Sequence, residues 1–232
     1  MKTAFVLGRV VVAAAIVAAI VAQLSQSHAT WTAGGVTNFA ISYLNFFSYF
    51  TIESNSGSVV VCLIGAWFLV ARRGGPDPRW FTGLRVAVVT YMTVTGIVYN
   101  LLLRGIPLEP GATVPWSNEI LHVVAPIWML VDWFFAPGRS PLHWHAIWGV
   151  VAFPLVWVTY TLIRGPFTPN EIKGETHWYP YPFFDPNLSP NGYFSVALYV
   201  ILIAAIIGLT AAGLIRVSRR FPLASAGSPV HR

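Results

Sequence analysis

The run YFSVALYVILIAAIIGLTAAGLI, Tyr193 to Ile215, carries no charged side chain. It is longer than the roughly 20 residues a helix needs to cross the hydrocarbon core of a bilayer. Five more stretches of the same character precede it, at about residues 5–24, 41–70, 81–103, 118–136 and 144–163. With residues 193–215 they cover most of the 232-residue chain. The pattern predicts an all-α fold: one six-helix transmembrane domain, with residues 164–192 as a loop outside the membrane.

Composition excludes an ordinary soluble domain. The chain is 56% hydrophobic and 9% charged, against about 25% charged residues in soluble proteins, and its mean hydropathy is +0.64. The net charge of +6 is not a nucleic-acid signature, because its distribution follows the membrane. With the N-terminus inside, every Lys and Arg except Arg104, Arg164 and Lys173 falls on the cytoplasmic side, including Arg73 and Arg232. That asymmetry predicts cytoplasmic termini at both ends. A competing pattern lies at the start: Met1–Arg9, the apolar run after it and Ser27-His28-Ala29 resemble a signal peptide with a small-residue cleavage site. Cleavage would remove the first span and leave the orientation of the other five unchanged. Cys62 is the single cysteine, which excludes an internal disulfide and a cysteine-based metal site. No internal repeat points to an inverted-repeat transporter.

Polar residues inside the spans need a reason, since lipid offers them no partner. Residues 41–70, read as one helix of about 45 Å, contain Phe50-Thr51-Ile52-Glu53-Ser54-Asn55-Ser56-Gly57-Ser58. Ser48, Thr51, Asn55 and Ser58 fall on one helical face with Ser54 beside them, and that face is expected to point into the bundle. Thr51 then lies in the outer leaflet. Glu53 points away from Asn55, toward headgroup level or a second polar contact. The plain alternative is that these hydroxyls bond back to carbonyls or join neighbouring helices.

The fourth span reads Asn118-Glu119-Ile120-Leu121-His122-Val123-Val124-Ala125-Pro126. His122 comes out near the depth of Thr51. Pro126 has no N–H, so the His122 carbonyl loses its i+4 partner and the helix is expected to distort there. His122 reads either as a functional residue or as a histidine bonded to a neighbouring helix. Asp132, nearer the inner end, is expected to pair with Arg139, Arg79 or Arg85. His143 and His145, two apart, point to opposite sides of a helix and read as interfacial. No metal or cofactor is expected. The loop 164–192 holds six prolines and six aromatic residues, which suits a packed cap over the Thr51 and His122 level. His177 and Asp185 are its candidate polar contributors.

The motifs Phe47-Ser48-Tyr49-Phe50-Thr51-Ile52-Glu53-Ser54-Asn55, Val98-Tyr99-Asn100-Leu101-Leu102-Leu103-Arg104-Gly105 and Leu121-His122-Val123-Val124-Ala125-Pro126 occur in that order. Asp132-Trp133 and Tyr179-Pro180-Tyr181-Pro182-Phe183-Phe184-Asp185 follow. Together they resemble the bacterial six-span branch of the family containing androgen-induced gene product and androgen-dependent TFPI-regulating protein. The resemblance runs from about residue 36 to 215. Animal members of that family are intramembrane hydrolases of fatty acid esters of hydroxy fatty acids, with a catalytic threonine and histidine. The resemblance therefore implies Thr51 as nucleophile and His122 as base, with membrane lipids as surroundings and a lipid ester as substrate.

The residues themselves suit that chemistry. A threonine hydroxyl needs an adjacent base, and neutral imidazole can serve. Asn55 or Asn100 are candidates to donate to the oxyanion, with Ser54, Tyr99, His177 and Asp185 as further substrate contacts. Two other readings stay open at this level. One is a non-enzymatic lipid-binding or transport protein using the same polar pocket. The other is a haem or quinone protein ligated through His122, for which His177 is the available second histidine.

Overall fold

A backbone in lipid must satisfy its own hydrogen bonds, and for apolar runs of this length the solution is the α-helix. A computed structural model describes residues 1–72, 75–106 and 112–223. Arg73 and Arg232, counted above in the charge asymmetry, lie outside the described residues. The α-helices among them are α1 Lys2–Ala33, α2 Phe39–Phe47, α3 Phe50–Ala71, α4 Arg79–Val98, α5 Pro115–Glu119, α6 Ala125–Phe135, α7 Ala146–Arg164 and α8 Tyr193–Arg220. No strand forms among the described residues. One isolated bridge, Asn170 to Glu175, closes a turn in the loop after α7.

Five helical segments are long and apolar enough to cross a membrane: Lys2–Ala33, Phe50–Ala71, Arg79–Leu103, Ala146–Phe167 and Tyr193–Arg220. Their apolar surface is not used up inside the protein. Only 22% of the most apolar window of Lys2–Ala33, and 17% of that of Ala146–Phe167, is buried. Leu7, Val11, Val156, Ile163, Ile201 and Leu209 all face outward. Water would penalise each such side chain by about 1.5–3 kcal/mol relative to burial, whereas lipid would not. α4 is the central helix and touches α3, α6, α7 and α8, while α1 runs along α3.

Two of the expected spans are interrupted. Residues 41–70 do not form one helix. The Asn38 side chain accepts from the Ile41 amide and starts α2. At the other end Ser48 Oγ donates to the Leu44 carbonyl at 2.7 Å, and Tyr49 turns extended (φ −68°, ψ 127°) before α3 begins at Phe50. Trp157 Nε1 donates to the carbonyl of Ser48 that the break leaves without a helical partner. Ser48 therefore leaves the face shared by Thr51, Asn55 and Ser58, and its hydroxyl meets Tyr160 instead. The fourth span runs helically from Pro115 to Phe135, but a π-helical turn at Ile120–Val124 splits it into α5 and α6. That turn is the distortion expected beside Pro126.

The end of the bundle away from the cap is tied by ions. Asp132 accepts from Arg9 Nε at 2.7 Å and from Arg85 Nη2 at 2.9 Å, and Arg85 Nη1 reaches Asp77 at 2.7 Å. All four side chains are buried. The expected partner Arg85 is present, but Arg9 of α1 takes the place proposed for Arg139 or Arg79. Arg139 instead donates to the carbonyls of Trp133 and Phe221. Gly65 makes room for this network: a Cβ there would lie 2.6 Å from Arg9 Nη1. α1 also holds α5, because Ser117 Oγ donates to the Ala19 carbonyl at 2.7 Å. His143 and His145 are exposed.

Candidate functional site

The break at Tyr49 puts Thr51 in the first turn of α3 rather than in mid-helix, with its side chain against the π turn that carries His122. Thr51 Oγ1 lies 3.3 Å from His122 Nε2. His122 Nδ1 lies 2.9 Å from the carbonyl of Asn118. A carbonyl only accepts, so Nδ1 carries the proton and, in neutral imidazole, Nε2 is the acceptor. The Thr51 hydroxyl then donates to Nε2. The group that orients the histidine is thus a backbone carbonyl one turn back on the same helix. Tyr99 stacks on the imidazole with ring centres 3.9 Å apart and planes inclined by 22°. Its hydroxyl accepts from Asn118 Nδ2, so ring and carbonyl are braced together.

Gly96 lets α4 approach this turn. A Cβ on it would lie 3.2 Å from Pro126 Cβ and 3.3 Å from the His122 carbonyl oxygen. Asn100 Nδ2 donates to the Gly96 carbonyl at 2.8 Å and reaches the His122 carbonyl at 3.4 Å. The carbonyl orphaned by Pro126 therefore has a partner. The same bonds correct one expectation, because the Asn100 amide hydrogens are engaged and do not face Thr51. Asn55 is engaged likewise: its Nδ2 donates to the carbonyls of Thr51 at 2.9 Å and Leu121 at 3.1 Å. Ser54 Oγ donates to the Thr51 carbonyl and meets Thr95 Oγ1 at 3.1 Å. Asn55, Ser54 and Asn100 thus hold the backbone around the pair, and none is free for an oxyanion.

His177 and Asp185 meet each other at 3.4 Å, and Asp185 also caps the turn at Asn187. They organise the cap and make no bond to Thr51 or His122. Glu53 Oε2 is buried without a partner among the described residues. No three His, Cys, Asp or Glu side chains gather there to hold a metal ion either.

The cap supplies a residue that the sequence did not single out. The Tyr181 hydroxyl lies 3.2 Å from Thr51 Oγ1 and 3.2 Å from the Thr51 amide nitrogen. Beyond its place in the quoted motif, its sequence signal is its position between Pro180 and Pro182, which hold the backbone there extended (φ −139°, ψ 144°). Beneath it a cleft open to the surface runs between α4, α7 and α8. Its walls include Val94, Val98, Pro154, Trp157, Ile203 and Ile207, and Thr51 stands at its head. Leu155 and Ala204, at its mouth, are exposed on the outward apolar surface. A hydroxyl lining an apolar cleft, with an imidazole behind it at 3.3 Å, can act on the polar end of a molecule whose tail is hydrocarbon. Comparison with protein-family models, curated proteins and solved structures found no match to this chain.

Proposed function

We propose that the chain is a six-span protein of the bacterial inner membrane, with both termini cytoplasmic, that hydrolyses lipid esters through Thr51 and His122. The substrate class includes fatty acid esters of hydroxy fatty acids, as the motif resemblance implies. The observation that carries the reading is the 3.3 Å contact between Thr51 Oγ1 and His122 Nε2 at the head of an apolar cleft. In this scheme residues 115–135 form the remaining span, about 30 Å of helix. The acyl chain enters sideways from lipid between α7 and α8.

Thr51 Oγ1 bonds to the ester carbonyl carbon while its proton passes to His122 Nε2. Collapse of the tetrahedral intermediate breaks the ester C–O bond, and the leaving alkoxide takes that proton. Water from the cap side then attacks the acyl-threonine, with His122 again as base; collapse breaks the Thr51 Oγ1–acyl bond, His122 returns the proton to Oγ1, and the free acid departs.

The test is turnover of a long-chain ester of a hydroxy fatty acid by the purified protein in lipid nanodiscs. The hydrolase reading expects free acid from the wild type, none from Thr51→Ala, and a loss of about 10²–10⁴-fold in His122→Ala. Ester binding without product in a folded wild type would instead favour a lipid-binding or transport role for the same pocket.

A further inference from the structure

The hydrogen bonds around Thr51 can be assigned a direction from their two backbone ends. Asn118 offers a carbonyl, so His122 Nδ1–H donates to it and Nε2 accepts from Thr51. The single Thr51 hydroxyl hydrogen is then spent, and Thr51 Oγ1 can only accept from the Tyr181 hydroxyl at 3.2 Å. At the other end the Thr51 amide can only donate, and it does so to the Tyr181 oxygen at 3.2 Å. The chain therefore runs one way: Thr51 N–H to Tyr181 O–H to Thr51 Oγ1–H to His122 Nε2, with Nδ1–H to Asn118 C=O. Tyr181 is left with one hydrogen, aimed at the nucleophile, and with its oxygen polarised by an amide in the first turn of α3.

Building on the hydrolase reading, we propose that Tyr181 is a catalytic residue: its phenol O–H binds the oxyanion of the tetrahedral intermediate. As Thr51 Oγ1 bonds to the carbonyl carbon, the carbonyl π pair moves onto the carbonyl oxygen. That oxygen is attached to the same carbon, so it forms within reach of the hydrogen that Tyr181 had directed at Thr51. The phenol exchanges one acceptor for a better one and keeps its proton throughout. On collapse the oxyanion pair re-forms the carbonyl and Tyr181 returns to the acyl-threonine oxygen. Three other candidate donors are taken, since Asn55, Asn100 and Ser54 are held by carbonyls.

The surroundings keep Tyr181 a donor. Burial pushes its phenol up to about 12, against the opposing effect of its bonds to Thr51. Phe183 stacks on its ring with centres 5.2 Å apart and planes 10° apart, and Tyr49 meets it edge-on at 5.7 Å. The ring is clamped while its hydroxyl stays over Thr51. Because the residue belongs to the cap, the site is complete only when the cap is seated.

The experiment compares wild type, Tyr181→Phe, Tyr179→Phe and Thr51→Ala, each full length in nanodiscs. Two readouts are used: the labelling rate by a long-chain fluorophosphonate, and kcat and KM for the ester. Loss of one oxyanion donor is expected to slow labelling and lower kcat by about 10²–10³-fold. KM and the unfolding temperature of Tyr181→Phe should stay close to wild type. Tyr179→Phe removes a cap hydroxyl that meets Tyr193 and should label at the wild-type rate. Tyr181→Phe labelling within about threefold of wild type would overturn the proposal while leaving the hydrolase reading intact. A fall in labelling matched by a higher KM and a lower unfolding temperature would make Tyr181 a cap latch and overturn it too. A wild type that neither labels nor turns over ester would remove the hydrolase reading and this role with it.

Discussion

Two polar clusters sit in the same apolar bundle and are built on opposite rules. At the end away from the cap, Arg9, Arg85, Asp77 and Asp132 are full charges in contact at 2.7–2.9 Å, with every member buried. At the cap end, Thr51, His122 and Tyr181 are neutral in the hydrogen-bonding scheme derived above, and they meet at 3.2–3.3 Å. Ion pairs removed from water tolerate no loss of a partner, because the survivor is left charged and unpaired. Neutral hydroxyls lose about 0.5–1.5 kcal/mol per bond and can exchange one acceptor for another. The first arrangement suits holding α1, α4 and α6 together. The second suits groups that must change partners when a substrate arrives.

Breaking each cluster separately tests the contrast. The largest effect expected is on turnover, where Thr51→Ala should abolish ester hydrolysis while shifting stability by only about 1 kcal/mol. Assayed by thermal unfolding in nanodiscs, this variant should resemble wild type. Asp132→Ala should do the reverse. It strands the buried Arg9 guanidinium and leaves Arg85 with Asp77 alone, and should cost about 3–5 kcal/mol, read as a large drop in unfolding temperature, while the folded fraction keeps its activity per molecule. Gly65→Ala sharpens the comparison at smaller scale. Its Cβ would press on the Arg9 guanidinium, for an expected loss of about 1–3 kcal/mol from overpacking, again without a change in KM.

The smallest effect concerns the outer surface. Glu171 accepts from the Thr37 amide at 2.6 Å, the Thr37 hydroxyl at 3.0 Å and the Asn38 amide at 3.2 Å. Led by the Thr37 amide, these bonds hold its carboxyl below its ordinary 4.5. A depressed carboxyl contributes stability above its ordinary value and loses it as pH falls through the folded value. Hydrogen-exchange protection at Thr37 and Asn38 should therefore fall in wild type as the pH drops below 4.5 and through the lowered folded value. In Glu171→Gln it should be weak at every pH.

Hydropathy made the long helices legible because lipid leaves a chain few other choices. It could not show where a helix stops inside an apolar run. The break at Ser48 and Tyr49 is made by Ser48 Oγ on Leu44 and by Trp157 on the Ser48 carbonyl, and the second of these comes from more than a hundred residues away. Pro126 did mark the turn at His122, since a missing N–H is a local fact. The spacing that placed Thr51 and Asn55 on one face also held within α3. Which amide hydrogens were free was not legible, because Asn55 and Asn100 are committed to carbonyls on neighbouring helices. Tyr181 was hidden for the opposite reason: its partner is 130 positions distant, and only a folded cap brings it to Thr51. Arg9 escaped notice because it reads equally well as a flanking positive charge and as an ion-pair partner.

The central claim is that Thr51 carries an activated hydroxyl, and mapping a covalent adduct tests it most directly. The wild-type protein in nanodiscs would be treated with a long-chain fluorophosphonate, digested and sequenced by mass spectrometry. The account predicts one phosphonyl adduct on Thr51, absent from His122→Ala. An unlabelled wild type, or an adduct on another residue that survives Thr51→Ala, would contradict it.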